Sequence, residues 1–277
     1  MGLQEQHNGK VYLLNYADDR FGHKSGEFRK NQAILNETAL RQGIRNIASW
    51  TWEDFRRTEF YENHKEYLDK PYFENGFVFK PYIILTLLEQ INYGDVILYC
   101  DCGPQLIDRP LNDCVTLCRR NKGTLFHQVG DKNSKQTKRD CFVYMGCDDP
   151  KYYNAVGIQA TWFMLEKTDF VTAFVKEWLT YNLDERIASY RLPNTCGLPD
   201  LPDFIENRGD QSILSLLVAK YNIRTFYGAG GTANRRIGMF VRTLSWRGRI
   251  VSWLMQLSTK CFGGRGHWRL VKLVEKL

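Results

Sequence analysis

The sequence predicts an α/β protein: one domain on a mixed, mainly parallel sheet flanked by helices, followed by a basic helical C-terminal segment. Three observations carry this. Short apolar, β-rich runs take turns with stretches whose apolar residues recur at helical spacing. The 277 residues are 43% hydrophobic and 14% aromatic, enough for one sizeable core and outside the disordered range. The net charge of +7 sits at one end: residues 238–277 hold 8 Lys/Arg and 1 acid, while the 30 basic and 30 acidic residues before them cancel. The expected division is a catalytic-type domain over residues 1–234 and a basic amphipathic tail over 235–277.

Residues 10–16, KVYLLNY, read as a first, central strand. Residues 28–42 read as a helix ended by Gly43, and 44–49 as a second strand, a β-α-β step. Residues 51–73 carry both charge signs and many aromatics, the composition of packing helices. The stretch that organises the chain is 76–103, GFVFKPYIILTLLEQINYGDVILYCDCG. Pro81 is tolerated in a first helical turn, where its missing N–H would be unpaired anyway. Ile83, Ile84, Leu87, Leu88 and Ile91 make one apolar face, Gly94 suits a left-handed helix end, and residues 96–99 read as a buried strand. Asp101 stands just past that strand, where open α/β sheets bind ligands.

Further on, residues 105–121 hold an amphipathic stretch with Leu111, Val115 and Leu117, and 124–129 read as a strand. The polar, Lys-rich residues 131–139 read as a loop over a ligand, 156–165 as one core strand and 170–181 as an amphipathic helix. Three prolines and a glycine mark 191–203 as a loop. Asp210 suits an N-cap or first-turn position of an apolar helix through Leu217, and 221–227 read as the last sheet strand.

The helix-strand-Asp101 unit, with Lys80-Pro81 upstream, resembles the nucleotide-sugar-binding core of GT-A-fold glycosyltransferases, a Rossmann-type fold whose strand ends in an acidic D-x-D motif. Here the motif reads D-x-G, with Gly103 in place of the second acid. Asp210-Gln211 opening an apolar helix resembles the D-Q element of retaining members. The resemblance covers about residues 11–227 and implies transfer of a hexose or pentose from a nucleoside-diphosphate sugar to a hydroxyl of a glycan or glycolipid, with retention favoured over inversion. It implies Asp101 as ligand of Mn²⁺ or Mg²⁺, and Asp210 and Gln211 beside the donor sugar. Asn15, Tyr16 and Arg20 would cradle the nucleotide. Lys80 and Arg139 would meet the diphosphate, and Gln159 the sugar. Members of the family often add a metal-binding histidine after the last strand; here the next one is His267.

The tail places Trp246, Trp253 and Trp268 among Arg242, Arg247, Arg249, Arg265 and Arg269. Basic residues with interfacial tryptophans fit an anionic bilayer surface better than nucleic acid, which ranks below it as a partner. The polar first ten residues predict no secretory signal or amino-terminal anchor, and no apolar run is long enough to span a bilayer. The expected location is cytoplasmic with peripheral membrane association, and the eight cysteines are expected as thiols. A zinc site from Cys100, Cys102, Cys114 and Cys118 has an unusual spacing and ranks low. The rival functions are a non-catalytic nucleotide-sugar or glycan-binding module and a basic nucleic-acid-binding protein.

Overall fold

The computed structural model describes residues 9–20, 27–103, 105–107, 110–227 and 236–237. The glycine-rich run 228–235 and the basic segment 238–277 lie outside the described residues.

In chain order come β1 (Val11–Ala17), α1 (Glu27–Arg41), β2 (Asn46–Thr51) and the short helices α2 (Trp52–Phe55), α3 (Glu59–Asn63), α4 (Lys65–Leu68) and α5 (Tyr72–Asn75). Then follow α6 (Phe79–Gln90), β3 (Val96–Cys100), β4 (Leu106–Ile107), α7 (Asn112–Arg120), β5 (Thr124–Leu125) and β6 (His127–Lys132). Next are α8 (Asn133–Gln136), α9 (Arg139–Tyr144), α10 (Pro150–Tyr153), β7 (Val156–Ile158), β8 (Trp162–Glu166), α11 (Asp169–Asn182) and α12 (Glu185–Ala188). The described chain closes with α13 (Asp210–Lys220), β9 (Phe226–Tyr227) and β10 (Arg236–Ile237).

The main sheet has five strands in the order β2-β1-β3-β8-β5. β2, β1 and β3 run parallel, with Leu13 opposite both Ile47 and Leu98; β8 runs antiparallel to β3 and β5. The sheet is therefore mixed and mostly parallel, as the sequence predicts. Alternation along each strand divides the core. Leu13, Leu98 and Met164 pack with Leu35 and Ala39 of α1 and with Cys114 and Cys118 of α7. Leu14, Ile97, Tyr99 and Phe163 pack with Ile83, Ile84 and Leu87 of α6 and with Phe174 and Trp178 of α11. Helices on both faces explain why β3 is apolar at every position rather than at every second one.

Four readings need correction. The expected strand at 124–129 is two: β5 ends at Leu125, and β6 belongs to a second sheet, β7-β6-β9. The expected strand at 156–165 is also broken, into β7 and β8, and residues 159–161 cross between the two sheets. The Lys-rich stretch 131–139 is no surface loop: Asn133, Ser134, Gln136, Thr137 and Lys138 are buried, most of them in or beside α8. The last strand, β9, is two residues long and joins the small sheet. The three strand errors share a cause, that a run of apolar residues marks burial and burial does not say against which sheet; the stretch 131–139 is the reverse case, polar residues buried against the coil and α13. After the glycine-rich run the chain returns, and β10 pairs parallel with β4, Arg236 opposite Leu106. No helix among the described residues is long and apolar enough to cross a membrane.

Candidate functional site

A cleft of about 440 Å³ opens at the C-terminal ends of β1 and β3, within the range of small-ligand sites. Its floor is a charge cluster. Asp101 follows the last residue of β3, and its N–H donates to Thr161 O at 2.8 Å. Its Oδ1 accepts from the Tyr99 hydroxyl at 2.7 Å and lies 3.4 Å from Lys80 Nζ; among the described residues Oδ2 of this part-exposed carboxylate has no hydrogen-bond donor. Asp210 is the first residue of α13 and is buried; its Oδ2 lies 2.7 Å from the same Lys80 Nζ, outside hydrogen-bonding angles, so the contact is a charge pair. Lys80, 4% exposed, also donates to Ala160 O at 3.1 Å.

Lys80 thus has three protein oxygens around its ammonium. It lines the cleft from a position between the two carboxylates. Burial opposes its charge, yet Asp101 and Asp210 outweigh burial and raise its pKa. Burial lifts the Asp210 carboxyl to about 6, with Lys80 opposing the shift and Asp101 adding to it. With all three ionised the floor carries one net negative charge, the sign that attracts a cation.

The local chain explains how α6 and α13 meet. Gly76 (φ 60°) and Gly209 (φ 47°) both adopt left-handed backbone, and both press against Ala188. A Cβ on Gly76 would fall 2.5 Å from Ala188 Cβ, and one on Gly209 would fall 2.6 Å from the Tyr190 ring. No side chain fits either place. Phe77, next to Gly76, is left-handed too (φ 57°), a strained state for an aromatic residue, and it lines the cleft.

One wall is aromatic: Tyr72, Phe73, Phe77, Phe79 and Tyr190. Tyr16 stacks on Phe79 with ring centroids 4.0 Å apart, and its hydroxyl meets Tyr72 OH at 2.8 Å and Asp18 Oδ2 at 3.2 Å. Arg20 forks onto Asp18, with Nη2 to Oδ2 at 2.7 Å, and lies 3.1 Å over the Trp52 ring. Burial would raise the Asp18 carboxyl, but its bonds from Arg20 and Tyr72 outweigh burial and hold it below the usual range.

Among the sequence-derived candidates, Tyr16, Lys80, Asp101, Asp210 and Gln211 line this cleft together. Arg20 is spent on Asp18 and Trp52 at its edge. Asn15 is wholly buried, clamped between Gln32 (2.8 Å) and Asn36 (2.7 Å), and ties β1 to α1 instead of reaching a nucleotide. Arg139 pairs with Asp148 at 2.9 Å, away from the cleft lining. Gln159 is buried with its N–H on His127 O at 2.7 Å; its neighbours Ala160 and Thr161 line the cleft in its stead. Gln105, Tyr190, Glu206 and Arg208 also line it, and sequence reasoning passed over them. Arg208 carried a signal, two residues before Asp210; Tyr190 carried none.

Among the described residues no group of three or more His, Cys, Asp or Glu converges on a metal position, so the zinc reading of the cysteines gains no support. Compared with family models and with the sequences of characterised proteins, the chain gives no match.

Proposed function

We propose that the chain is a GT-A-like glycosyltransferase that moves a sugar from a nucleoside-diphosphate sugar to a hydroxyl of a glycan or glycolipid. One observation carries the reading. Asp101 and Asp210, far apart in sequence, meet on one buried Lys80 in a cleft at the C-terminal edge of parallel strands. Structural ion pairs of this depth are poor devices for stability, because desolvation offsets most of their attraction. Two carboxylates held this way are better accounted for by chemistry in the cleft.

The residues fit a divalent cation of the kind that takes one or two protein carboxylates and completes its shell with phosphate oxygens and water. Asp101 would hold it through its available oxygen, and the net negative charge of the floor favours it. The cation, when bound, supplies charge neutralisation at the diphosphate leaving group. Asp210 and Gln211 face the donor sugar in this reading. Lys80 keeps the Asp210 carboxylate oriented and ionised near neutral pH, and the aromatic wall excludes water and offers flat faces to sugar rings. The partly exposed Arg208, paired with Glu206 at 2.8 Å on the rim, is a cation within reach of a diphosphate.

The test is a panel of nucleoside-diphosphate sugars, with and without Mn²⁺, read by thermal shift and by release of nucleoside diphosphate. A stabilising donor that is also hydrolysed or transferred supports the reading. Stabilisation without release by any donor makes the protein a binding module. No response to any donor removes the proposal.

A further inference from the structure

Gln105 follows the D-x-G motif by two residues, lines the cleft and is 4% exposed. Its Oε1 is buried and takes no hydrogen bond from the described residues. Buried carbonyl oxygens are nearly always paired, so one left unpaired calls for a partner. Its position gives this a meaning. A side chain on Gly103 would begin 2.5 Å from Gln105 Oε1, with Cδ at 3.3 Å and Nε2 at 3.4 Å from the same point. The carboxamide therefore fills the space into which a third-position acid of the motif would project.

We propose that Gln105 stands in for that acid: Oε1 is a ligand of the divalent cation carried by Asp101, and Nε2 donates to an oxygen of the diphosphate. This rests on the nucleoside-diphosphate reading above. A cation–diphosphate pair presents a positive centre and an anionic oxygen side by side, which complement the two ends of one carboxamide. An amide oxygen carries no net charge, so it binds a hard cation more weakly than a carboxylate does. The metal then binds poorly by itself and well with diphosphate. In Gly103→Asp the new Cβ would take the place of Gln105 Oε1, so the carboxamide would have to swing away.

The test is isothermal titration of Mn²⁺ alone, and of Mn²⁺ with inorganic pyrophosphate, into the wild-type protein, Gln105→Met and Gln105→Glu. Gln105→Met keeps the shape and removes the hard ligand. It should melt no lower than wild type, because no hydrogen bond among the described residues is lost, and should bind Mn²⁺–pyrophosphate about tenfold or more weakly. Gln105→Glu supplies the missing charge and should bind Mn²⁺ alone about tenfold more tightly. Wild-type binding that Gln105→Met leaves within about twofold, or a Gln105→Glu protein that holds Mn²⁺ no better than wild type, overturns this inference and leaves Asp101 as metal ligand intact. A wild-type protein that binds Mn²⁺ neither alone nor with pyrophosphate, on the other hand, removes the metal reading itself and this inference with it.

Discussion

At the scale of single residues, the buried floor sets a pH dependence with a definite sign. Asp210 has a folded-state pKa of about 6 against an ordinary value of 3.8, with burial as the largest cause. A raised carboxyl favours the fold while protonated, so its contribution is complete below about pH 3.8 and is lost as pH rises through about 6. The loss is on the order of 3 kcal/mol, from about 1.4 kcal/mol per pKa unit. Asp210→Asn lacks this titration. The difference in melting temperature, variant minus wild type, should therefore climb between pH 4 and pH 7, while donor turnover falls by orders of magnitude. A flat difference, or full turnover, returns Asp210 to a structural role. Lys80→Met leaves two carboxylates facing each other without a counter-charge, at a cost of about 3–5 kcal/mol. Because Asp210 takes up a proton in acid, urea unfolding should show a smaller deficit at pH 5 than at pH 7.5. An equal deficit at both would mean that packing of the Lys80 stem, not its charge, is what matters.

At the scale of elements, the cleft depends on a coil held from behind. The Asp140 carboxylate, wholly buried on α9, accepts from Thr195 N–H at 2.9 Å, Thr195 Oγ1 at 3.0 Å and Cys196 N–H at 2.8 Å. Lys138 Nζ donates to Leu192 O at 3.2 Å, and Asn207 Nδ2 bridges Ile187 O and Ser189 O. The Lys138-Arg139-Asp140 element is thus an anchor for the coil between α12 and α13, which delivers Tyr190, Glu206 and Arg208 to the cleft. Burial would raise the Asp140 carboxyl, but these donors outweigh it and lower its pKa below 3.8. Its contribution is present above that value and is lost as pH falls through the folded pKa. Asp140→Ala removes the shared acceptor of donors on exposed Thr195 and half-buried Cys196, where water replaces part of what is lost, so the coil loosens more than the fold weakens. Hydrogen exchange should quicken across residues 190–200 while β1 and β3 stay protected. Uniform exchange in both proteins would show that the coil is held elsewhere.

At the scale of the whole molecule, charge and architecture are separate. The residues that build the sheet sum to no net charge, and residues 238–277 carry the whole +7. β10 pairs with β4, whose first residue, Leu106, directly follows Gln105 of the cleft lining. Each basic residue near an anionic bilayer adds about 1 kcal/mol. The full chain should co-sediment with phosphatidylserine vesicles at low salt and much less with neutral ones. A chain ending at Ile237 should keep donor binding and lose vesicle binding. Full-length protein that ignores anionic vesicles removes the membrane proposal.

The sequence alone determined the elements whose signals are local. The helical spacing of Ile83, Ile84, Leu87 and Leu88, the cap at Gly43 and the apolar run of β3 each specify an element through its own neighbours, whereas Gly94 falls in the turn after α6, whose cap is Ile91. They also placed Asp101 at a strand end and Asp210 at a helix start, which was most of the candidate floor. What the sequence could not decide was pairing. Residues 124–129 and 156–165 read as single strands because burial looks the same against either sheet, and only tertiary contacts cut them in two. Asn15 lies in β1 and Arg139 opens α9, and their side chains turn to Asn36 and to Asp148. Lys80 lies between two carboxylates and Gln105 lines the cleft by the same rule: a side chain's partners depend on which distant segment folds against it. The meeting of Gly76, Ala188 and Gly209 brings α6 and α13 together, and no spacing within either helix contains that information.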